Sequence, residues 1–239
     1  MSKPFQFKEF AVAQDRCAMK IGTDGVLLGA WTPLTSRPQS ILDIGAGTGV
    51  LSLMLAQRSE AFQIDAVEID APAYEQCIEN FEQSPWNDRL FCYHASFQEF
   101  WQEMEGEEAY DLIVSNPPFY TESFKTKDTQ RDLARFQDAL PFEHLVYGVS
   151  LLLSKKGIFS LVVPSEEEEK IVAIAAEVHL FPKKITRVRG NASSPIKRSL
   201  LTFSFEEALV EEDELAIETE RHQYTPEYIS LTKDFYLKM

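Results

Sequence analysis

Two short segments carry the residue types from which a binding and reaction site could be built. The first is a loop with GxGxG spacing, formed by Gly45, Gly47 and Gly49 and preceded by Asp43. Glycines permit a sharp turn and let a ligand approach the backbone closely, and an acid before them suits a cationic ligand. The spacing is neither GxGxxG nor GxxxxGK[ST], so a nucleotide triphosphate is disfavoured. The alternative is a turn whose glycines only permit tight packing.

Acidic and hydroxyl side chains follow the next two predicted strands. Glu68 ends the second strand, where a carboxylate can accept hydrogen bonds from both hydroxyls of a ribose. Because NAD enzymes place an acid similarly, Glu68 alone does not identify the cofactor. Asp70 is expected to cap a helix, with ligand contact as the alternative. Ser96, after the third strand, could bond an adenine edge or cap a helix, and Phe97 would line the adenine pocket.

The second segment is the tetrapeptide formed by Asn116, Pro117, Pro118 and Phe119, which follows a buried strand. Two prolines stiffen the backbone, which is useful where a side-chain amide and a main-chain carbonyl must be held together. Asn116 Oδ1 and the Pro117 carbonyl can both accept from one NH2 group, which keeps electron density on a conjugated nitrogen as it attacks. A planar base can stack on Phe119. The alternative is a rigid loop with a capping asparagine.

The remaining pattern describes the elements that must position these segments. Short β-rich segments alternate with helical ones, which predicts a mostly parallel sheet with helices on both faces. Predicted strands are 40–44, 62–68, 89–95, 110–115 and 157–164, and predicted helices are 48–58, 71–83, 97–104, 142–153 and 165–180, the last capped by Ser165. Beyond them we expect an antiparallel pair, 183–189 and 199–205, then a strand at 213–219 and a capped helix at 225–237.

Length and composition fit one globular domain. The 239 residues are 44% apolar and 26% charged, and no linker divides them. We therefore predict an N-terminal extension, 1–39, made of strands, loop and one helix, packed on a catalytic core, 40–239. Three cysteines without a CxxC motif and four histidines without ligand spacing predict no metal site. With no signal-peptide pattern or membrane-length apolar run, the sequence predicts a cytoplasmic protein.

The charge is strongly negative, with a net value of −15 from 23 basic and 38 acidic residues. This argues against nonspecific coating of nucleic acid. Positive charge is nevertheless concentrated in two groups that could contact phosphates, although two solvated faces are the alternative. The first group lies in an acid-free stretch and consists of Lys183, Lys184, Arg187, Arg189, Lys197 and Arg198. The second group follows the tetrapeptide and consists of Lys125, Lys127, Arg131 and Arg135.

At these motifs the sequence resembles the S-adenosylmethionine-dependent amino-methyltransferases that carry (D/N/S)PP(F/Y/W). DIGAGTG resembles their cofactor loop, VEID their ribose-binding strand end, and NPPF their catalytic motif. The match extends to one family, the bacterial tRNA adenine-N6 methyltransferases. The segments similar to that family are QDRCAMKIGTDGVLLGAW at 14–31, RGNASSPIKRSLLTFSF at 189–205 and YTPEYISLTKDFYLKM at 224–239.

The resemblance implies a Rossmann-like class I methyltransferase fold: an α/β, doubly wound, mostly parallel seven-stranded sheet with a C-terminal antiparallel hairpin. It implies S-adenosylmethionine as cofactor, S-adenosylhomocysteine as product, no metal, and methyl transfer to N6 of adenine 37 in a valine tRNA. Lys20, Thr23 and Asp24 would lie near the methionine end of the cofactor, which Asn116 would also contact. The alternatives are a surface lysine and a helix cap at Thr23 and Asp24.

Two other functions share part of this pattern. A glutamine-N5 methyltransferase of a peptide-release factor uses the same tetrapeptide chemistry, because a glutamine amide nitrogen is also planar and conjugated. That family usually has a helical domain ahead of the cofactor loop, whereas here the preceding residues predict strand, loop and one helix. The other alternative is a catalytically silent methyltransferase fold that serves as a binding partner, and the intact motifs argue against it. A monomer is favoured over an oligomer.

Overall fold

The computed structural model describes residues 3–104, 106, 109–118 and 140–239. The strands are β1 (Phe5–Gln6), β2 (Ala11–Val12), β3 (Ser40–Ile44), β4 (Gln63–Glu68), β5 (Leu90–His94), β6 (Tyr110–Ser115), β7 (Leu153–Pro164), β8 (Phe181–Asn191), β9 (Ile196–Ser204), β10 (Glu211–Glu220) and β11 (Gln223–Tyr224). The helices are α1 (Thr23–Trp31), α2 (Val50–Arg58), α3 (Ala71–Glu82), α4 (Phe97–Glu103), α5 (Phe142–Leu152), α6 (Glu168–Glu177) and α7 (Pro226–Thr232).

The large sheet has the strand order β11-β10-β8-β9-β7-β6-β3-β4-β5. Strands β3 to β7 are parallel, and β9 runs antiparallel to both β7 and β8. The chain leaves β3 toward β4 and β5, then returns to β6 and β7 on the other side. The switch point therefore lies between β3 and β6, where open α/β sheets bind ligands. The predicted mostly parallel sheet with an antiparallel hairpin is confirmed, but the sheet has nine strands rather than seven, because β10 and β11 lengthen it at one edge.

Helices cover both faces of this sheet, as the alternating pattern predicts. One buried apolar cluster lies between the sheet and α1, α2, α3 and α7, while a second lies under α4, α5 and α6. The cap at Asp70 is confirmed, since its Oδ2 accepts from the Ala73 N–H at 3.1 Å. In the part of the chain that the structure describes, no helix has the length and apolarity needed to cross a membrane.

The acidic run after β7 differs from its prediction. Ser165 is not a helix cap: it opens a 3-10 turn, Ser165–Glu167, and its hydroxyl donates to the Ile196 carbonyl at 3.1 Å. Helix α6 begins only at Glu168, whose carboxylate is buried against Arg187. Strand β9 supplies the Ile196 carbonyl and strand β8 supplies Arg187, and the local sequence reveals neither contact.

The C-terminal helix is shorter than predicted because the chain turns inward. The N–H groups of Phe235 and Tyr236 both donate to the Thr232 carbonyl, which ends α7. Phe235 is buried, and Tyr236 forms an isolated bridge with Phe7 of the N-terminal extension. The Phe7 ring stacks on Tyr236 with ring centroids 6.0 Å apart and on Phe10 at 4.6 Å. The two ends of the chain therefore pack together.

Candidate active site

The carboxyl ends of β3, β4 and β6 lie side by side at the switch point. Ile44 is paired with Val67 on one side and with Ser115 on the other. The buried Ser115 hydroxyl donates to the Ile44 carbonyl at 2.9 Å and ties these two strand ends together. The glycine loop follows Ile44 directly, and Asn116 follows Ser115. The two motifs singled out in the sequence are thus neighbours in the fold.

The glycines of the loop divide into two kinds. Gly45, Gly47 and Gly49 all have positive φ, at 74°, 56° and 77°. A Cβ built on Gly45 or Gly47 meets no described heavy atom within 4 Å, so the backbone there is open to a ligand. A Cβ on Gly49 would lie 2.5 Å from Phe81 Cε1. Gly49 is therefore required for packing against α3, whatever further contact it makes.

Asp43 is fully buried beneath the loop and joins β3 to α2. Its Oδ2 accepts from the Ser52 N–H at 3.2 Å and from the Ser52 hydroxyl at 2.8 Å. Its Oδ1 is buried and has no hydrogen-bond partner among the described residues. Burial raises the pKa of Asp43 to about 7, although both bonds from Ser52 lower it. An acceptor with unused capacity therefore lies directly under the glycine loop.

Glu68 links the ends of β4 and the glycine loop. Its Oε2 accepts from the Gly47 N–H at 2.7 Å, and its Oε1 accepts from the Asp70 N–H at 2.8 Å. Burial raises the pKa of Glu68, while these backbone donors lower it. Each carboxylate oxygen has two lone-pair sites, so Glu68 can still accept from a ligand hydroxyl. The half-buried thiol of Cys17 lies in the same acidic surroundings, and its pKa is raised to about 12 by burial and then by Glu68 and Asp70.

Ser96 caps α4 in a reciprocal capping box. Its hydroxyl accepts from the Glu99 N–H at 3.2 Å and donates to Glu99 Oε2 at 2.7 Å. The ring of Phe97 is buried and packs edge-to-face on Trp101, with centroids 5.0 Å apart. The structure thus gives Ser96 and Phe97 the roles of cap and core residue, and their contact with an adenine stays a prediction.

Helix α3 fastens the N-terminal extension to the glycine loop. Asn80 exchanges two 2.9 Å bonds with the N–H and carbonyl of Ala13, and it also donates to the Thr48 carbonyl at 2.9 Å. Gln76 Oε1 accepts from the Arg16 N–H at 3.1 Å. Sequence reasoning missed both amides. They could have been found as polar residues within the apolar stripe of α3, which consists of Ala73, Cys77 and Phe81.

The segment that resembles the methionine end of the site leads into α1. The N-cap of α1 is Gly22, so neither Thr23 nor Asp24 is the cap. Lys20 and Thr23 are exposed. Asp24 forms an ion pair in which Arg198 Nε donates to its Oδ2 at 2.7 Å.

The tetrapeptide lies against this same helix. A Cβ built on Gly25 would be 3.4 Å from Asn116 Nδ2, so the amide of Asn116 packs on the first turn of α1. Pro117 is buried, and Asn116 and Pro118 are half-buried. Phe119 lies outside the described residues, as do Lys125, Lys127, Arg131 and Arg135.

The acid-free basic stretch is largely paired with carboxylates, because β10 runs parallel beside β8. The β10 residues Glu211 to Glu214 lie along this stretch. The ion-pair distances to β10 are 2.6 Å for Lys184 with Glu211, 2.8 Å for Arg187 with Glu212 and 2.5 Å for Arg189 with Glu214. Lys197 is exposed and forms no ion pair with a described residue. Among residues 3–104, 106, 109–118 and 140–239, no cluster of three His, Cys, Asp or Glu could hold a metal.

The strand order, the glycine loop at the switch point and the adjoining Asn-Pro-Pro turn define a class I methyltransferase. Residues 23–141 match the family described as the methyltransferase small domain. A solved structure described as a predicted O-methyltransferase from Agrobacterium tumefaciens has the same fold. Its TM-score is 0.70 at 19% identity, over 89% of this chain and 96% of that one.

Full-length relatives narrow the class to one family. A Flavobacterium johnsoniae protein named tRNA1(Val) (adenine(37)-N6)-methyltransferase is 64% identical over 236 residues, 98% of this chain and 100% of its own length. A Bacteroides fragilis protein of the same name is 47% identical over 100% of both chains. The chain belongs to the tRNA1(Val) (adenine(37)-N6)-methyltransferase family, which confirms the resemblance seen in the sequence.

Proposed function

We propose that this enzyme transfers a methyl group from S-adenosylmethionine to N6 of adenine 37 in a valine tRNA, the reaction named for its relatives. The observation that carries the proposal is the juxtaposition of two motifs. An open glycine loop follows the end of β3, and the Asn116 turn follows the end of the adjacent strand β6. The hydrogen bond from Ser115 to the Ile44 carbonyl joins these two strand ends. A methyl donor on one strand end and an amine on the next would be neighbours.

The residues present fit the proposed cofactor. When bound, S-adenosylmethionine supplies an electrophilic methyl group on a positively charged sulfur, and it leaves as S-adenosylhomocysteine. Gly45 and Gly47 provide open backbone, Glu68 keeps capacity for ribose hydroxyls, and the unpaired Asp43 Oδ1 suits a donor with positive charge. The proposed set is completed by Lys20, Thr23, Asp24, Gly49, Ser96, Phe97 and Asn116.

The Asn-Pro-Pro-Phe turn would hold the adenine amine. The lone pair of N6 is delocalised into the ring, which makes the amine a poor nucleophile. Asn116 Oδ1 and the Pro117 carbonyl would each accept a hydrogen bond from one N–H of the amine. These bonds favour the pyramidal form of the nitrogen, while Phe119 stacks on the base. The nitrogen gains the methyl group and releases one proton to solvent. Orientation of this kind lowers a barrier by up to about 7–11 kcal/mol, so no general base of shifted pKa is required.

The RNA would be held by few charges. Lys197 is the best-supported candidate among the described residues, because it is exposed and unpaired with any of them. Arg189 and Arg198 are already engaged by Glu214 and Asp24. The proposed contacts also include Lys125, Lys127 and Arg131. We infer that the enzyme acts as a monomer in the cytoplasm. To reach the site, the target base must leave its stack in the RNA, at a cost of a few kcal/mol.

The test is a labelled-methyl assay preceded by calorimetry of cofactor binding. Unmodified total tRNA, rRNA and release factor are offered separately, and the modified nucleotide is mapped by mass spectrometry in RNA from cells lacking the protein. We expect label in tRNA, with adenine 37 of a valine tRNA unmodified in the mutant cells. Label in release factor alone would indicate glutamine methylation, and cofactor binding without transfer would indicate a silent binding fold.

A further inference from the structure

The first turn of α1 is weakly fixed by its own hydrogen bonds. Its N-cap, Gly22, has no side chain to accept from the free N–H groups, and no side-chain cap replaces it. The first intrahelical bond, from the Val26 N–H to the Gly22 carbonyl, is long at 3.4 Å. A Ser, Thr, Asn or Asp side chain at an N-cap would accept a hydrogen bond from one of these N–H groups. Here the position of the turn must depend on tertiary contacts instead.

One such contact joins α1 to a distant strand. Arg198 Nε donates to Asp24 Oδ2 at 2.7 Å across 174 positions of sequence, and the two side chains are 35% and 31% exposed. Arg198 lies on β9 opposite Pro164, at the carboxyl end of β7. Its Nη1 also donates to the Lys197 carbonyl at 2.9 Å, which restricts the guanidinium. The acid of the pair occupies the first helical turn, where the helix dipole favours negative charge.

The next residue of this turn contacts the tetrapeptide. Gly25 directly follows Asp24, and a Cβ built on it would be 3.4 Å from Asn116 Nδ2 and 3.8 Å from Val50 Cγ1. The first turn of α1 therefore contacts Arg198 through Asp24 and the Asn116 amide through Gly25. If the turn shifts, the surface against which that amide packs shifts with it.

We propose that Arg198 is a positioning residue, which acts through Asp24 to fix the first turn of α1 against the Asn116 amide. The inference rests on the proposed function, in which Asn116 holds the amine. It replaces the phosphate contact that the sequence predicts for Arg198. Since a misplacement of about 1 Å at a reacting group costs about a hundredfold in rate, a modest displacement of this turn would be measurable.

The test compares two adjacent basic residues on one hairpin, Arg198→Ala and Lys197→Ala. We expect Arg198→Ala to lower kcat about tenfold or more, with the KM for tRNA and its salt dependence within about twofold of the parent. Lys197→Ala should instead raise KM and flatten the salt dependence. Arg198→Lys, which keeps the charge, should recover part of the rate. If Arg198→Ala raises KM and flattens the salt dependence as Lys197→Ala does, Arg198 contacts RNA and the proposal is overturned.

Two further measurements separate this proposal from the function on which it rests. In a double-mutant cycle, the kcat losses of Asp24→Asn and Arg198→Ala should not add, and additive losses would contradict an action through Asp24. The side-chain amide resonance of Asn116 should shift in Arg198→Ala and stay in place in Lys197→Ala. This resonance needs no substrate, so an unshifted signal overturns the inference even if tRNA methylation itself fails. Unchanged circular dichroism spectra show that each variant folds.

Discussion

At the scale of single residues, the site contains a buried carboxylate, Asp43, whose ionised form is unfavourable. Asp43 is excluded from water, and only one of its oxygens is hydrogen-bonded within the described chain. Such a group destabilises the folded protein when ionised, because burial disfavours charge without a full set of donors. The arrangement is useful only if a ligand later supplies the missing donor.

Asp43→Asn should make stability less dependent on pH. The pKa of Asp43 is about 7 in the folded chain against an ordinary 3.8, so between these values only the folded state keeps the proton. The free energy of unfolding therefore falls by roughly 4 kcal/mol at most as pH rises through this window, and it is level above the window. Urea unfolding of both proteins across the window measures this. A constant difference between them would contradict the raised pKa.

Asn116→Ala should separate cofactor binding from turnover. The amide is proposed to accept from the target amine, so its removal should lower kcat by about a hundredfold to a thousandfold. Asn116 is one of several proposed cofactor contacts, and the glycine loop and Glu68 remain, so the dissociation constant for S-adenosylmethionine should change by less than about threefold. Calorimetry and single-turnover methyl transfer give the two numbers. Equal losses in both would assign Asn116 a structural role.

Gly45→Ala and Gly49→Ala should fail in different ways. A Cβ on Gly49 would overlap Phe81 at 2.5 Å, in addition to its positive φ, so we expect a stability loss of about 2–4 kcal/mol. A Cβ on Gly45 meets open space, so its loss should be about 1 kcal/mol, with weaker cofactor binding as the main effect. Thermal unfolding and calorimetry decide this. Similar destabilisation by both would show that the loop side of Gly45 is packed.

At the scale of elements, α3 connects the N-terminal extension to the glycine loop. Asn80 is 2% exposed and donates hydrogen bonds to the carbonyls of Ala13 and Thr48. Asn80→Ala should cost about 3 kcal/mol, since it strands buried donors and acceptors, and it should also weaken cofactor binding. Urea unfolding gives the first quantity and calorimetry the second. The exposed Glu82→Ala on the same helix, expected within about 0.5 kcal/mol, is the control.

The central elements could be predicted from sequence because local patterns determine them. The bounds of β3 and β6 coincide with their predictions, since each is a buried apolar run that ends at a glycine or an Asn-Pro turn. Strand β7 begins at Leu153 rather than 157, because α5 leads into it without a loop. A helical pattern that ends on an apolar residue gives no local signal for that change.

The candidate site also contains one part that the sequence predicts and one that it does not. Glycine spacing, Glu68 and the tetrapeptide are local motifs, so the sequence alone could place them at one sheet edge. The pairing of Asp24 with Arg198 and of Asn80 with Ala13 joins distant segments, and no spacing rule encodes it. The basic stretch at 183–198 contains no acid of its own, and most of the acids that pair with it lie on β10, which the parallel pairing brings beside β8.

At the scale of the whole molecule, net charge and internal pairing limit how RNA can be held. The chain carries −15, and the β8 cations lie next to β10 carboxylates. We expect a slope of about −3 or shallower for log affinity for tRNA against log salt, which corresponds to about four phosphates. Lys184→Ala should leave that slope unchanged, because Glu211 already neutralises Lys184. A slope of about −6 or steeper would contradict this expectation.

The parallel pairing of β10 with β8 also places β10 near one edge of the sheet. Its other neighbour is the two-residue strand β11, so β10 and β11 have fewer strand partners to hold them than β8, which lies between β9 and β10. Amide hydrogen exchange under native conditions should reflect this difference, with β10 and β11 exchanging before β8. Added salt should hasten this early opening, since carboxylate–cation pairs at the surface weaken as ionic strength rises. The acidic edge formed by β10 and β11 would then open locally, while the amides around the methyl-transfer centre stay protected from exchange.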